Sequence, residues 1–205
     1  MFVPNALQAA SITLFKEFLS LSYNEFDEAA ARIAGDMTDN KSELPELIKQ
    51  IKCSDSIKYD WLWLRDYRVI GLQLPQRSGN TILSIAMCIE YIKAMKLMMI
   101  QGKIAHSVIN VTLLASDIDR QTIDSIGESL GEQDVLKHIT TYQVRDAATY
   151  GRVCGTIAKQ VAHKPSLVVV DPANWIIGND IHMESLIKAM SDPTLRPLQH
   201  IVRIS

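Results

Sequence analysis

Leu167-Val168-Val169-Val170-Asp171, an apolar run closed by an acid, constrains the fold of this chain more than any other segment. Its residues are mostly β-branched, which favours an extended backbone. Because there is no polar alternation, neither face of the strand can meet water. A strand of that kind belongs in the middle of a parallel sheet covered on both sides by helices. The rest of the chain fits this requirement. From Trp61 onward, short extended runs alternate with helical ones, the pattern of a mostly parallel three-layer α/β domain.

The expected strands are Val69 to Leu74, Val108 to Ala115, His138 to Val144, the run ending at Asp171, and Ile201 to Ile204. The expected helices run from Ile82 to near Gly102, from a cap at Ser116 or Asp117 to Gly131, from Asp146 to Ala162, and from Met183 to Met190. Residues 1–60 read differently, as helices near 5–20, 22–35 and 43–51, with Cys53-Ser54-Asp55-Ser56 as a linker. The expected organisation is therefore a helical appendage over 1–60 and an α/β domain over 61–205.

Composition narrows the function classes. With 205 residues and 47% of them hydrophobic, the chain can bury a sizeable core. A formal net charge of -2 and a pI near 6.2 provide no global attraction to nucleic acid or anionic lipid. Cys53, Cys88 and Cys154 have no metal-ligand spacing and suit a reducing compartment. No secretory leader is expected at the start. The most apolar helix carries Glu90, Lys93 and Lys96, so it reads as a buried helix and not a membrane span. The expected location is intracellular, in the cytoplasm.

The strand at Val69 delivers the chain into Pro75-Gln76-Arg77-Ser78-Gly79-Asn80-Thr81 and the long apolar helix leaves from it. A glycine-containing turn between a strand and a helix N-terminus presents successive N–H groups that can hold phosphate. Arg77, Ser78, Gly79, Asn80 and Thr81 are the candidate binding residues. Thr81 and Asp171 are the candidate ligands for magnesium, since a hydroxyl and a strand-end carboxylate are hard oxygen donors. The plainer alternative is that Ser78 to Thr81 only turns the chain and caps a helix, with Asp171 bonding a local turn. Tyr59, Trp61, Trp63 and Tyr67 are expected to pack, and Met87, Met95, Met98 and Met99 to fill core. His106, His138, His163, His182 and His200 show no ligand spacing, and Arg145, Arg152, Arg196 and Arg203 are expected to be scattered.

Three segments in order, Arg77-Ser78-Gly79-Asn80-Thr81, His138-Ile139-Thr140-Thr141-Tyr142-Gln143 and Leu167-Val168-Val169-Val170-Asp171-Pro172-Ala173-Asn174, resemble the first motor domain of superfamily-two helicases and of phage large terminases. The resemblance covers roughly residues 65 to 205, and Ile201 to Ser205 looks like that domain's next strand. It implies a P-loop-like fold, ATP and magnesium as cofactors, and a nucleic acid or a protein assembly, including a viral one in the host cytoplasm, as partner. Two departures fall on chemical positions. Asn80 stands where the family has lysine, and Pro172 where it has a glutamate. Without the cation and the base, hydrolysis fails while binding survives, so the resemblance implies a pseudoenzyme or scaffold. Ser78-Gly79-Asn80-Thr81 also resembles the FMN-phosphate loop of flavodoxin-like proteins, with Trp175 placed to stack on the flavin. A ligand-free structural or interaction protein is the third alternative.

Overall fold

The computed structural model describes residues 12, 15, 56–58, 62–65, 69–72, 79–102, 104, 108–116, 118, 120–171, 180–190, 195 and 198–204. Outside that set lie most of the expected helical appendage, Cys53, Trp61, His106, Arg196, Arg77 and Ser78 of the candidate loop, and Pro172 to Trp175.

One sheet organises the chain. Strands β1 (Ser56–Lys58), β2 (Leu62–Arg65), β3 (Val69–Leu72), β4 (Asn110–Ala115), β5 (Ile139–Gln143), β6 (Ser166–Asp171) and β7 (Gln199–Ile204) lie in the order β1-β2-β3-β7-β6-β4-β5. From β3 to β5 every pairing is parallel. The three-layer, mostly parallel sheet expected from the sequence is the architecture of this protein. β1 and β2 form an antiparallel extension on the β3 side, with Ser56 opposite Arg65 and Leu62 opposite Leu72. The sequence reading instead puts Ser56 in a linker. Three- and four-residue strands carry too little periodicity to announce themselves, and the pairing partner supplies their order.

The helices are α1 (Asn80–Ile100), α2 (Arg120–Leu130), α3 (Gln133–Leu136), α4 (Ala147–Val161) and α5 (Asp180–Ala189). α4 begins within one residue of the expected start, and Asp146 is its cap, the carboxylate accepting from the Thr149 N–H at 2.7 Å. α2 starts at Arg120, later than a cap at Ser116 or Asp117 would allow. Its end is as expected, at Gly131, whose φ of 72° lets the chain turn away and re-enter as α3.

Side chains alternate across the strands, so each strand serves two cores. On one face Ile70, Leu72, Leu113, Leu167, Val169, Val202 and Ile204 pack with α1, Ile123 of α2 and Leu136 of α3; Phe15 joins the same cluster. On the other, Val69, Leu114, Val168, Val170 and Ile201 pack with α4 and α5. All of β6 is buried. Helix α1 is 21 residues long, about 31 Å, and runs over β6 and β4. It is pinned to the chain entering β7 by the Tyr91 hydroxyl, which donates to the Leu198 carbonyl. Met87 and Met95 are buried within the α1 layer, as expected of core filler. No helix among the described residues is long and apolar enough to cross a membrane.

Ile85, fully buried between α1 and the sheet, tests this packing. Ile85→Ala is expected to cost about 2–5 kcal/mol. A urea titration should show a lower midpoint with an unchanged slope.

Candidate functional site

In an open α/β sheet, ligands bind beyond the carboxyl ends of the strands. Here β3 and β6 both end on that edge, with β7 between them. Neighbouring strands stand about 4.8 Å apart, so their ends are separated by roughly 10 Å. Helix α1 closes that gap, because it leaves the turn after β3 and passes over β6.

The turn is set by Gly79. Its φ of 81° and ψ of 36° are left-handed, and it is the residue from which α1 starts. A β-branched side chain there would be strained. Its N-cap residue, a glycine, brings no capping side chain of its own, and the first turn of α1 holds no acidic residue. The Gly79 carbonyl accepts from the Leu83 N–H at 3.0 Å, as the first bond of the helix.

Parity decides where Asp171 faces. Leu167 and Val169 belong to the α1 core, and Asp171 continues the same alternation. The residue is 4% exposed. The Ser84 hydroxyl donates to its Oδ2 at 3.0 Å, and the Thr81 side chain forms a further hydrogen bond to it. Ser84 has no exposed surface and also donates to the Asn80 carbonyl at 2.9 Å. Burial pushes the Asp171 carboxyl above its ordinary range, and the bonds from Ser84 and Thr81 only partly offset that.

The structure therefore brings together Gly79, Asn80, Thr81 and Asp171 of the sequence candidates. Arg77 and Ser78 lie outside the described residues. Ser84 is the residue the sequence reading missed. Its signal was a lone hydroxyl in the apolar run Ile82 to Ile89, three residues after Thr81 and so on the same helix face.

Of the other candidates, Arg203 lies near the carboxyl end of β7, in register with Val170 and Gly71. His200 is buried at the start of β7, edge-on to Tyr91 with ring centres 6.3 Å apart. His182 packs against Tyr150 across α4 and α5, while His138 and His163 are exposed. Arg145 and Arg152 are exposed near the start of α4, and Arg203 is on β7. Cys88 and Cys154 are free and buried, and burial pushes both thiols up, Cys154 to about 11. Buried, protonated thiols are poor nucleophiles.

No family model matches this sequence and no curated protein matches it. Among solved structures, the chain is similar to a RadB recombinase known from its crystal structure. That match has 16% identity and a TM-score of 0.44, and covers 67% of this chain and 60% of that one. The chain thus spans less than two thirds of the recombinase's length.

The raised carboxyl at Asp171 has a measurable consequence. In the folded chain Asp171 holds its proton to higher pH than in the unfolded chain. Its contribution is therefore fully present below the ordinary carboxylate range and is lost as pH rises through the raised value. Asp171→Asn keeps an oxygen for Ser84 without the charge. Thermal melts should show this variant more stable than wild type at pH 7, with the difference shrinking towards pH 3. A pH-independent difference would contradict the assignment.

Proposed function

We propose that this chain binds the phosphates of a nucleotide, with magnesium, at the turn between β3 and α1, as a P-loop-like site that has lost its lysine. The observation that carries this reading is the meeting of Thr81 and Asp171. They are far apart in sequence, yet a hydroxyl at the start of the helix and a carboxylate at the end of the central strand share a hydrogen bond. Phosphate loops of this class hold magnesium with that pair, a loop hydroxyl and a strand-end aspartate. Both are hard oxygen donors of the kind magnesium takes. The left-handed Gly79 at the helix start fits a phosphate on the other side of the ion. Bound magnesium would neutralise phosphate charge.

Asn80 supports binding without efficient turnover, since it offers a hydrogen bond and no charge to the terminal phosphates. Strand order argues against the flavin alternative. A flavodoxin-like sheet sets its loop strand between the second and third strands in order 2-1-3-4-5. Here β3 lies between antiparallel β2 and β7, the last strand in the chain. A partner, whether nucleic acid or protein, belongs to the reading only through the helicase-like and terminase-like resemblance.

Thermal shift with magnesium and ATP, GTP or ADP tests the proposal. At a hundredfold excess over Kd, binding adds about 2.7 kcal/mol, or roughly 5–10 °C in a domain of this size. Gly79→Val should abolish the shift, and a full panel without any shift in the wild type would end this reading. Restoring the cation with Asn80→Lys is expected to tighten ATP binding at least about tenfold, worth ~1.4 kcal/mol. Equal affinity in the two proteins would show that position 80 does not face phosphate.

A further inference from the structure

We propose that Ser84 is a positioning residue that couples cation binding at Asp171 to phosphate binding at the first turn of α1. The inference rests on the phosphate-site reading and adds to it a residue and a role. Ser84 is fully buried in a helix whose neighbouring residues, Leu83, Ile85, Ala86 and Met87, are apolar and buried. Alanine would suit the helix better, and an unpaired buried hydroxyl is costly. Its place is explained by two acceptors, the Asn80 carbonyl at 2.9 Å and Asp171 Oδ2 at 3.0 Å.

A hydroxyl has one proton. An ionised carboxylate attracts it more strongly than a neutral carbonyl does. The charge on Asp171 therefore governs how much of the Ser84 proton is left for Asn80, whose backbone is the first residue of α1. A cation on Asp171 draws negative charge away from Oδ2 and returns the proton to the Asn80 carbonyl. Phosphate at the helix start acts on the same peptide from the other side. Each ligand thus alters what the other meets, through one hydroxyl that touches neither solvent nor phosphate. Ser84 also occupies Oδ2, which leaves the second carboxylate oxygen open to the ion.

Coupling is measured as a ratio, which separates it from any general weakening of either site. Manganese, as a paramagnetic stand-in for magnesium, is titrated by electron paramagnetic resonance with and without ADP, in the wild type, Ser84→Ala and Ser84→Cys. The wild-type manganese affinity should rise at least about tenfold with ADP. The ratio should fall by about fivefold or more in Ser84→Ala, within the usual range of such couplings, and lie between the two in Ser84→Cys, a weaker donor. A buried hydroxyl with only a packing role would change Tm and leave the ratio alone. An unchanged ratio in a folded Ser84→Ala overturns the proposal; if that variant does not fold, a wild-type ratio in Ser84→Cys overturns it. A wild type that binds neither manganese nor ADP fails differently, removing the phosphate-site reading and this inference with it.

Discussion

Strand β6 sets the rest of this structure. It is buried along its whole length, with β4 on one side, β7 on the other and helices over both faces. A strand in that position has no polar face, so its alternation divides residues between two cores. Leu167 and Val169 go to the α1 side, and Val168 and Val170 to the α4 and α5 side. That count leaves no freedom at the strand end. Asp171 must fall on the α1 face, and a shift of one residue would send it to the opposite helices.

The consequence is a charged group where the protein would rather hold a neutral one. The carboxylate of a residue that is 4% exposed is raised in pKa chiefly by loss of water, and two hydroxyls from α1 partly offset this. Such a group is a poor device for stability, since an uncharged side chain of similar shape avoids the same cost. Buried strain of this kind concentrates where a protein meets a ligand. The start of α1 shows the same feature from the other side. A capping side chain at the N-cap would stabilise a helix end by about 1 kcal/mol, and α1 has a left-handed glycine at that position.

What could be read from the sequence follows from the same physics. β6, α1 and α4 were legible because their signals are long: an unbroken apolar, mostly β-branched run, a helix apolar along its length, and a helical stretch broken by Lys164-Pro165. Their observed bounds, Ser166–Asp171, Asn80–Ile100 and Ala147–Val161, differ from the expected ones by one or two residues. β1 and β2 were not legible, because strands this short are ordered by register with β3 and not by their own pattern. The start of α2 was misplaced because several polar residues precede it, each able to cap. At the site, glycine, threonine and aspartate could be named from residue type and position. Ser84 could not, since a lone serine in an apolar helix takes its meaning only from what lies across from it, 87 residues away.

Asn80 and Asp171 are best understood together. In a site with lysine, the ammonium supplies positive charge to phosphate and carboxylate alike, so the cation shares a burden already partly met. Here the influences on Asp171 are burial and two hydroxyls, with no cation among them. Among the described residues, nothing at the first turn of α1 supplies positive charge either. Two negative partners, a carboxylate and a phosphate, would then face each other across the helix start. A divalent ion between them becomes the counter-charge for both. That makes binding depend on the metal more steeply than where lysine is present, and it gives a single buried hydroxyl on Asp171 more influence than a hydrogen bond ordinarily has. Under the proposed reading, asparagine in place of lysine would make a site that holds phosphate only together with its ion.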